Sequence, residues 1–124
     1  MAILSISTMF KLAPFLLSTP VTAVGCFSGG LSQPYNSEAV ALIKNACDVL
    51  ATEYSASGVM SNCQDNENNR INFAVTNTAN NGASLSDADC VSQNEITAMG
   101  CQGYGGIRAF GDFQLTCDPN SGSC

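Results

Sequence analysis

Apolar residues recur at helical spacing in the stretch that follows Asn36. Asn36 is a favourable N-cap residue, and Glu38 suits the positive end of a helix dipole. Gly58 is a natural end to the segment. The pattern predicts a helix over about residues 37–55. Its apolar face would comprise Ala39, Val40, Leu42, Ile43, Ala46, Cys47, Leu50 and Tyr54.

The next stretch has the period of a β-strand. Residues 59–63 form a short run, residues 64–69 are polar, and residues 70–77 alternate between apolar and polar positions. Two such runs joined by a polar turn predict a β-hairpin. In the second run Ile71, Phe73 and Val75 would face the core, and Asn72, Ala74 and Thr76 would face outward.

A second helix is predicted after residue 85. Ser86 is a good N-cap, and Asp89 three residues later completes an acidic form of the capping box. Gly100 is suited to the position just beyond the helix C-terminus. The expected core contacts of this helix are Val91, Ile96 and Met99.

The C-terminal quarter contains the longest strand-like run, Ile107 to Cys117. Alternation predicts one central strand, preceded by a glycine-rich loop around Tyr104 and followed by a turn over residues 118–122. Its inward positions would be Ile107, Ala109, Phe113, Leu115 and Cys117, and its outward positions Arg108, Phe110, Asp112, Gln114 and Thr116. The predicted fold class is α+β, with an antiparallel β-sheet of about four strands, two α-helices packed on it and disulfide stabilisation.

Residues 1–23 have the features of a secretory signal peptide. Lys11 supplies a positive charge, residues 12–17 are apolar, and small residues precede the cleavage position after Ala23. The apolar run is far shorter than the ~20 residues that a membrane span needs. An alternative is a lipoprotein signal with Cys26 as the lipid attachment point. The prediction is a signal peptide at 1–23, one cysteine-rich domain at 24–124 and secretion to the extracellular space.

Composition narrows the chemistry. The formal net charge is −6, and removal of Lys11 with the signal peptide makes it −7. So few bases are available that nucleic acid and anionic membrane surfaces are not expected partners. Histidine is absent, which excludes Ser-His and Cys-His nucleophile systems, and without a C-x-x-C pair a zinc site is not expected. Asp65, Glu67 and Asn69 alternate as in a calcium loop, but Arg70 and Thr76 stand where the loop needs glycine and glutamate, so no metal site is predicted. No cofactor is predicted.

One strand face combines an aromatic ring with hydrogen-bonding groups, a mixture suited to sugars. The predicted glycan-binding residues are Tyr104, Arg108, Phe110, Asp112 and Gln114. The alternative is an ordinary solvent-exposed or helix-covered face with Phe110 in the core. Asp112 and Asp118 share the strand's parity and form the one plausible carboxylate pair of the glycosidase type.

The order of these features resembles a family of small secreted cysteine-rich fungal proteins that includes a mushroom glycan-binding protein and effector-like relatives. The most specific parts are the Gly100-Cys101-x-Gly103-x-Gly105-Gly106 segment and the terminal Asp118-Pro119-Asn120-x-Gly122-x-Cys124 segment. The resemblance implies a disulfide-bridged sheet with helices packed on it, carbohydrate binding, and in some members a homodimer formed by pairing of two sheets.

The cysteines predict a disulfide framework, since a small secreted domain with seven of them needs cross-links. The six expected to pair are Cys26, Cys47, Cys63, Cys90, Cys101 and Cys124, with 15 connectivities open. Cys117 departs from the family pattern and is expected to be the free thiol, with a local Cys117–Cys124 bridge as the alternative. Cys47–Cys63 is the favoured bridge, because it would tie the first helix to the first strand.

Two functions from different classes follow, with a weaker third. The first is a secreted, non-enzymatic, lectin-like glycan-binding protein. The second is a secreted effector or elicitor that contacts a host protein through an apolar or edge-strand patch. The third is a small carboxylate-pair glycoside hydrolase, which needs two carboxylates roughly 5–10 Å apart in one cleft.

Overall fold

The fold is given by a computed structural model, which describes residues 24–124. The predicted signal peptide lies outside the described residues. Within 24–124, no helix has the length and apolar character that a membrane crossing requires. The elements are β1 (Val24–Cys26), α1 (Ser37–Leu50), β2 (Glu53–Tyr54), β3 (Val59–Asn66), β4 (Asn69–Asn77), β5 (Ala83–Ser84), α2 (Asp87–Gly100), β6 (Gly106–Phe110) and β7 (Phe113–Ser121).

Helix α1 begins where the sequence predicts and ends earlier. Asn36 is the N-cap, and its side-chain oxygen accepts from the amide of Ala39 at 3.0 Å. The helix stops at Leu50 because the chain then turns into β2, which pairs with β5 as a small separate sheet. The hydroxyl of Tyr54 donates to the Leu50 carbonyl at 2.7 Å, satisfying one of the groups that the helix end leaves open.

Strands β3 and β4 form the predicted hairpin. Their register runs from Val59 opposite Thr76 to Asn66 opposite Asn69, with a two-residue turn at Glu67 and Asn68. In β4 the buried and half-buried positions alternate as expected, so Ile71, which is 3 % exposed, faces the core.

Helix α2 has the predicted N-cap and a different buried face. Ser86 Oγ accepts from the amide of Asp89 at 3.1 Å. The expected core contacts Ile96 and Met99 are wrong, because these side chains are 39 % and 54 % exposed. The bridge from Cys90 to α1 fixes how the helix is rotated, so Cys90, Asn94, Thr97 and Ala98 are buried instead.

That buried face carries two polar side chains whose donor groups bond to backbone carbonyls within α2. The side-chain amide of Asn94 donates to the Cys90 carbonyl at 2.9 Å. The hydroxyl of Thr97 donates to the Gln93 carbonyl at 3.1 Å. Apolar periodicity missed this face because the hydrogen bonds that make its burial acceptable are internal to the helix.

The run Ile107–Cys117 is two strands, so the prediction of one central strand is wrong. The chain reverses at Gly111 and Asp112, and Phe110 lies opposite Phe113 in the β6–β7 pair. Gly111 has a φ of 55°, the left-handed region required at the first position of such a turn. Because of this two-residue turn, the residues of β6 lie on the faces opposite to those predicted: Arg108 and Phe110 are on the core side, and Ile107 and Ala109 are on the other side.

The segment predicted as a turn at residues 118–122 is mostly strand, since β7 continues to Ser121. Pro119 is tolerated because β6 begins opposite Cys117, so beyond that point β7 has β4 as its one partner strand. The main sheet is antiparallel, in the order β1-β6-β7-β4-β3.

Both helices pack on one face of this sheet. Their buried side chains form one core with Ile71, Phe73, Val75, Phe113, Leu115 and Cys117 of the strands. The predicted α+β class, with an antiparallel sheet, two helices and disulfide stabilisation, is confirmed, with five strands in the main sheet.

Three disulfides join Cys26 to Cys101, Cys47 to Cys90, and Cys63 to Cys124. The favoured Cys47–Cys63 bridge is wrong, because Cys63 lies opposite Asn72 on the face of the sheet turned away from α1. The six cysteines predicted to pair do so. Cys117 is the free, buried cysteine, as predicted, and it faces the core, so the Cys117–Cys124 alternative is wrong.

Candidate functional site

The five residues predicted to bind glycan do not lie on one face. Arg108 is opposite Leu115, and Phe110 is opposite Phe113, so both share the core side of the sheet. Arg108 is 8 % exposed, and its Nε donates to Oε1 of Gln93 on α2. Phe110 is half-buried and packs against the core. The β6–β7 turn is the physical reason for this inversion.

The other three predicted residues are accessible. Asp112 is exposed in the β6–β7 turn, and Gln114 is exposed on β7. Tyr104 is 38 % exposed in the loop before β6. The next residue, Gly105, lies against the carbonyl of Cys117 and the ring of Pro119, so the Tyr104 loop adjoins the part of β7 around Asp118.

The second face of the sheet carries no helix among the described residues, and we call it the open face. Register assigns its side chains, because cross-strand partners share a face. It comprises Val59, Ser61, Cys63 and Asp65 of β3, Arg70, Asn72, Ala74 and Thr76 of β4, Gln114, Thr116, Asp118 and Asn120 of β7, and Ile107 and Ala109 of β6.

At one end of the open face, four polar side chains on two adjacent strands form what we call the amide cluster: Arg70, Asn72, Asp118 and Asn120. Asn72 is directly opposite Asp118, and Arg70 is directly opposite Asn120. Arg70 Nε donates to Asn72 Oδ1 at 3.1 Å, and Asn120 Nδ2 donates to the same oxygen at 2.8 Å. Asn120 Nδ2 also donates to the Asp118 carbonyl at 3.1 Å.

These contacts fix which way each side-chain amide points. A guanidinium can only donate, so the Asn72 atom beside Arg70 is its oxygen. Asn120 meets that oxygen and a backbone carbonyl, both acceptors, so its NH₂ group points inward. The Asn72 NH₂, the Asn120 Oδ1 and the Asp118 carboxylate make no hydrogen bond within residues 24–124 and are half-buried at the surface. They are the groups available to a ligand.

The C-terminal segment borders the amide cluster. Arg70 Nη1 donates to the Ser121 carbonyl at 2.6 Å, and the amide of Gly122 donates to the Asn68 carbonyl at 2.9 Å. The amide of Cys124 donates to Asp65 Oδ1 at 2.7 Å, next to the Cys63–Cys124 bridge. This segment holds the Arg70 guanidinium against Asn72 and makes the cluster rigid.

The core side of β7 carries a titratable group, the Cys117 thiol, that is buried away from water. Burial, with a smaller contribution from the Asp118 carboxylate, raises the pKa of the Cys117 thiol to about 12. At neutral pH the thiol is therefore protonated and a poor nucleophile. Burial likewise raises the pKa of Tyr54.

Two recesses elsewhere offer less to a ligand. One lies between the helices and the sheet and is lined by Gln33, Ala39, Ile43, Ile71, Ala98, Gly103, Gly105, Cys117 and Pro119. The other is a groove along the small sheet, lined by Glu53, Tyr54, Gly82, Ala83 and Ser84. The first is almost entirely apolar, and neither gathers as many unused polar side chains as the amide cluster.

Carboxylate chemistry finds no support in the predicted pair. Asp118 lies opposite Asn72, whereas Asp112 is in the turn before β7, six residues away along an extended strand. At about 3.3 Å per residue this separates the two by roughly 20 Å, well beyond a glycosidase pair. Among residues 24–124, no group of three or more acidic or cysteine side chains could hold a metal ion.

Comparison with known protein families identifies the family of this chain. The sequence profile described as Glycan binding domain Y3 matches residues 38–124, which is more than half of the chain. The chain belongs to the glycan binding domain Y3 family. This membership supports carbohydrate binding and points to a non-enzymatic binding protein. No curated protein matches the chain.

The matched region of this glycan-binding domain includes the whole amide cluster. Alternation along the chain predicted an outward position for Asn72, and the residue types of Asp118 and Asn120 predicted a turn. What it could not show is that residues 48 positions apart are hydrogen-bonded neighbours, as Asn72 and Asn120 are. The available signal was the Asp118-Pro119-Asn120 segment itself, one of the two most specific parts of the resemblance.

Proposed function

We propose that the protein is a secreted, non-enzymatic carbohydrate-binding protein whose ligand lies on the open face at the amide cluster. The observation that supports this most directly is the set of unused groups on Asn72, Asp118 and Asn120, held in place by internal hydrogen bonds. Planar amide and carboxylate groups of this kind suit sugar hydroxyls, which both donate and accept. Preorganisation lowers the ordering cost of binding.

Tyr104 is the proposed aromatic partner of the cluster. Its ring is 38 % exposed, and its neighbour Gly105 contacts the residues on either side of Asp118. An aromatic ring at this edge would pack against the C–H groups of a sugar. Gln114, farther along β7, extends the proposed contact surface, while Arg108 and Phe110 support the sheet from the core side.

The test is a glycan array with the oxidised protein, beside a reduced sample. Asn72→Ala is compared with Asn45→Ala, because Asn45 is an exposed asparagine on α1, on the other side of the sheet. Selective binding that is lost with Asn72→Ala and on reduction, and kept with Asn45→Ala, supports the proposal. Binding unchanged by Asn72→Ala removes the proposed site, and a blank array with a folded sample removes the function.

A second candidate function is contact with another protein, in keeping with a secreted effector or with a homodimer. The observation in its favour is that β3 is an edge strand whose first residues, Val59 and Met60, are 67 % and 37 % exposed. Unpaired edges of this kind accept a strand from a second chain. Sedimentation of the protein and of Val59→Lys tests it: a dimer that the lysine converts to monomer supports edge pairing, and a monomer in both cases argues against it.

A further inference from the structure

The amide cluster presents donors and acceptors in a fixed pattern. Both lone pairs of Asn72 Oδ1 are used by Arg70 and Asn120, which leaves its NH₂ as a pure donor. Both hydrogens of the Asn120 NH₂ are used, which leaves its Oδ1 as a pure acceptor. The carboxylate of Asp118 accepts only. A ligand here must therefore supply both roles at neighbouring atoms.

The donor and the nearest acceptor belong to directly opposed residues. Asn72 and Asp118 are register partners on one face, so their Cβ atoms are about 4.5–5.5 Å apart. Their side chains do not hydrogen-bond to each other, since Asn72 is turned towards Arg70 and Asn120. A pair of adjacent hydroxyl groups matches this spacing and polarity, because one can donate while its neighbour accepts.

Charge on the open face disfavours an acidic ligand. Asp65 and Asp118 both lie on it. Arg70 is the one cation among the open-face residues, and its Nε and Nη1 are already committed to Asn72 and Ser121. Two carboxylates, Asp65 and Asp118, therefore face one guanidinium on this surface, and a carboxylate or sulfate placed on the cluster would meet the Asp118 carboxylate directly.

We propose that the cluster binds a neutral pyranose through two adjacent hydroxyl groups, one donating to Asp118 and the next accepting from the Asn72 NH₂. This inference rests on the proposed carbohydrate-binding function and specifies its ligand class. Arg70 and Asn120 act as positioning residues, since they hold the Asn72 amide in the orientation that presents its donor. Asn120 Oδ1 supplies a second acceptor for the same sugar.

The experiment measures binding of simple probes by ligand-observed NMR. The neutral probes are the methyl pyranosides of galactose, mannose and fucose. Each is compared with derivatives that lack one ring hydroxyl, and methyl galacturonoside is the acidic probe. At least one neutral probe should bind. Removing either hydroxyl of one adjacent pair should weaken it about tenfold or more, because each removal leaves a polar group of the cluster without its partner. The uronoside should bind at least tenfold more weakly than the galactoside.

Asp118→Asn gives a test that preserves shape. The amide can donate as well as accept, so neutral binding should fall while discrimination against the uronoside narrows. Asp48→Asn, an exposed carboxylate on α1, is the matched control and should change neither.

The outcomes separate this inference from the function on which it rests. Equal binding of neutral and acidic probes, or no sensitivity to removal of any adjacent hydroxyl, overturns the diol inference while carbohydrate binding stands. The absence of a binding signal for every neutral pyranoside also overturns the diol inference. The glycan array then tests whether the protein binds carbohydrate at all.

Discussion

The two faces of the main sheet are built from the same strands and have opposite properties. On the core side, Ile71, Phe73 and Val75 of β4 are at most 3 % exposed and pack with both helices. On the open face, Arg70 and Asn72 of β4 and Asn120 of β7 are polar and half-buried, and Asn72 Oδ1 accepts hydrogen bonds from the other two. The residues that hold the core and those of the proposed binding site are therefore separated by the pleat of a strand and not by distance along the chain.

Buried apolar side chains and surface hydrogen bonds contribute different amounts to the free energy of unfolding. Full burial of a large apolar side chain contributes about 1.5–3 kcal/mol. A hydrogen bond at a wetted surface contributes about 0.5–1.5 kcal/mol, because water replaces it when it is broken. The core side can hold the fold while residues of the open face change, so ligand preference can vary without loss of the domain.

The most severe test of the comparison uses neighbouring residues in β4. Phe73 is 1 % exposed, and Phe73→Ala should reduce the free energy of unfolding by about 3–5 kcal/mol through lost burial and a cavity. Asn72→Ala, one residue away on the open face, should cost less than about 1.5 kcal/mol. Denaturant titration of both variants measures this, and equal losses would show that the two faces do not divide stability as described.

The disulfides extend the comparison to covalent links. Cys47 and Cys90 are both fully buried, whereas Cys124 is exposed. The bridged pairs are 43 and 61 residues apart, so loop closure differs by only about 0.3 kcal/mol. Burial therefore decides the difference. Replacing Cys47 and Cys90 together by alanine should cost more stability, because it also opens a cavity in the core.

Native reduction gives an independent measurement on the bridges. With dithiothreitol under folding conditions, followed by alkylation and peptide mapping, Cys63 and Cys124 should be labelled well before Cys47 and Cys90. Simultaneous labelling of all four cysteines would mean that the Cys63–Cys124 bridge is no more accessible to the reductant than the buried bridge.

A pH titration sharpens the comparison within β7. The Cys117 pKa rises from 9.0 to about 12 on folding, so above pH 9 the unfolded chain loses this proton before the folded one does. Stability should fall with rising pH between those values, by about 1.4 kcal/mol per pH unit at most. The contribution is fully present below pH 9. The free energy of unfolding of Cys117→Ala should fall less steeply with pH over the same range. Parallel plots of unfolding free energy against pH for the variant and the unmodified protein would contradict the burial of the thiol.

The smallest expected effect on stability is at Tyr104, in the loop before β6. Tyr104→Ala should abolish or strongly weaken glycan retention and leave the unfolding midpoint nearly unchanged, because the ring is 38 % exposed. Tyr35→Ala is a control of matched exposure, at 39 %. Retention is measured on an immobilised glycan that the unmodified protein binds. Unchanged retention with Tyr104→Ala would remove this residue from the site.

Much of the fold could be predicted from local patterns. Alternation located β4 with its core face, and capping residues located the start of each helix, because these signals act within a few residues of their cause. The outward position of Asn72 followed from the same alternation. Prediction failed where one residue changed the consequence of a pattern, as at Gly111, where a turn inverted the faces of Arg108 and Phe110.

The candidate site was harder to predict than the fold. The amide cluster depends on the register between β4 and β7, which is set by packing of distant segments. The Cys63–Cys124 pairing depends on the same register, because it requires β7 to carry the chain end across to β3. A pattern of residues can indicate a strand, but it does not name the neighbour of that strand.

The buried thiol of Cys117 has a consequence for how the protein is made. Before the sheet closes, seven reactive thiols can be joined into three bridges in on the order of 100 ways. Once β7 is packed, Cys117 is withdrawn from exchange, because attack requires an accessible thiolate. In a molecule with wrong bridges, nothing requires the Cys117 sulfur to be buried. Reactivity towards a thiol reagent therefore distinguishes misfolded molecules from native ones and gives a direct assay of correct folding during refolding.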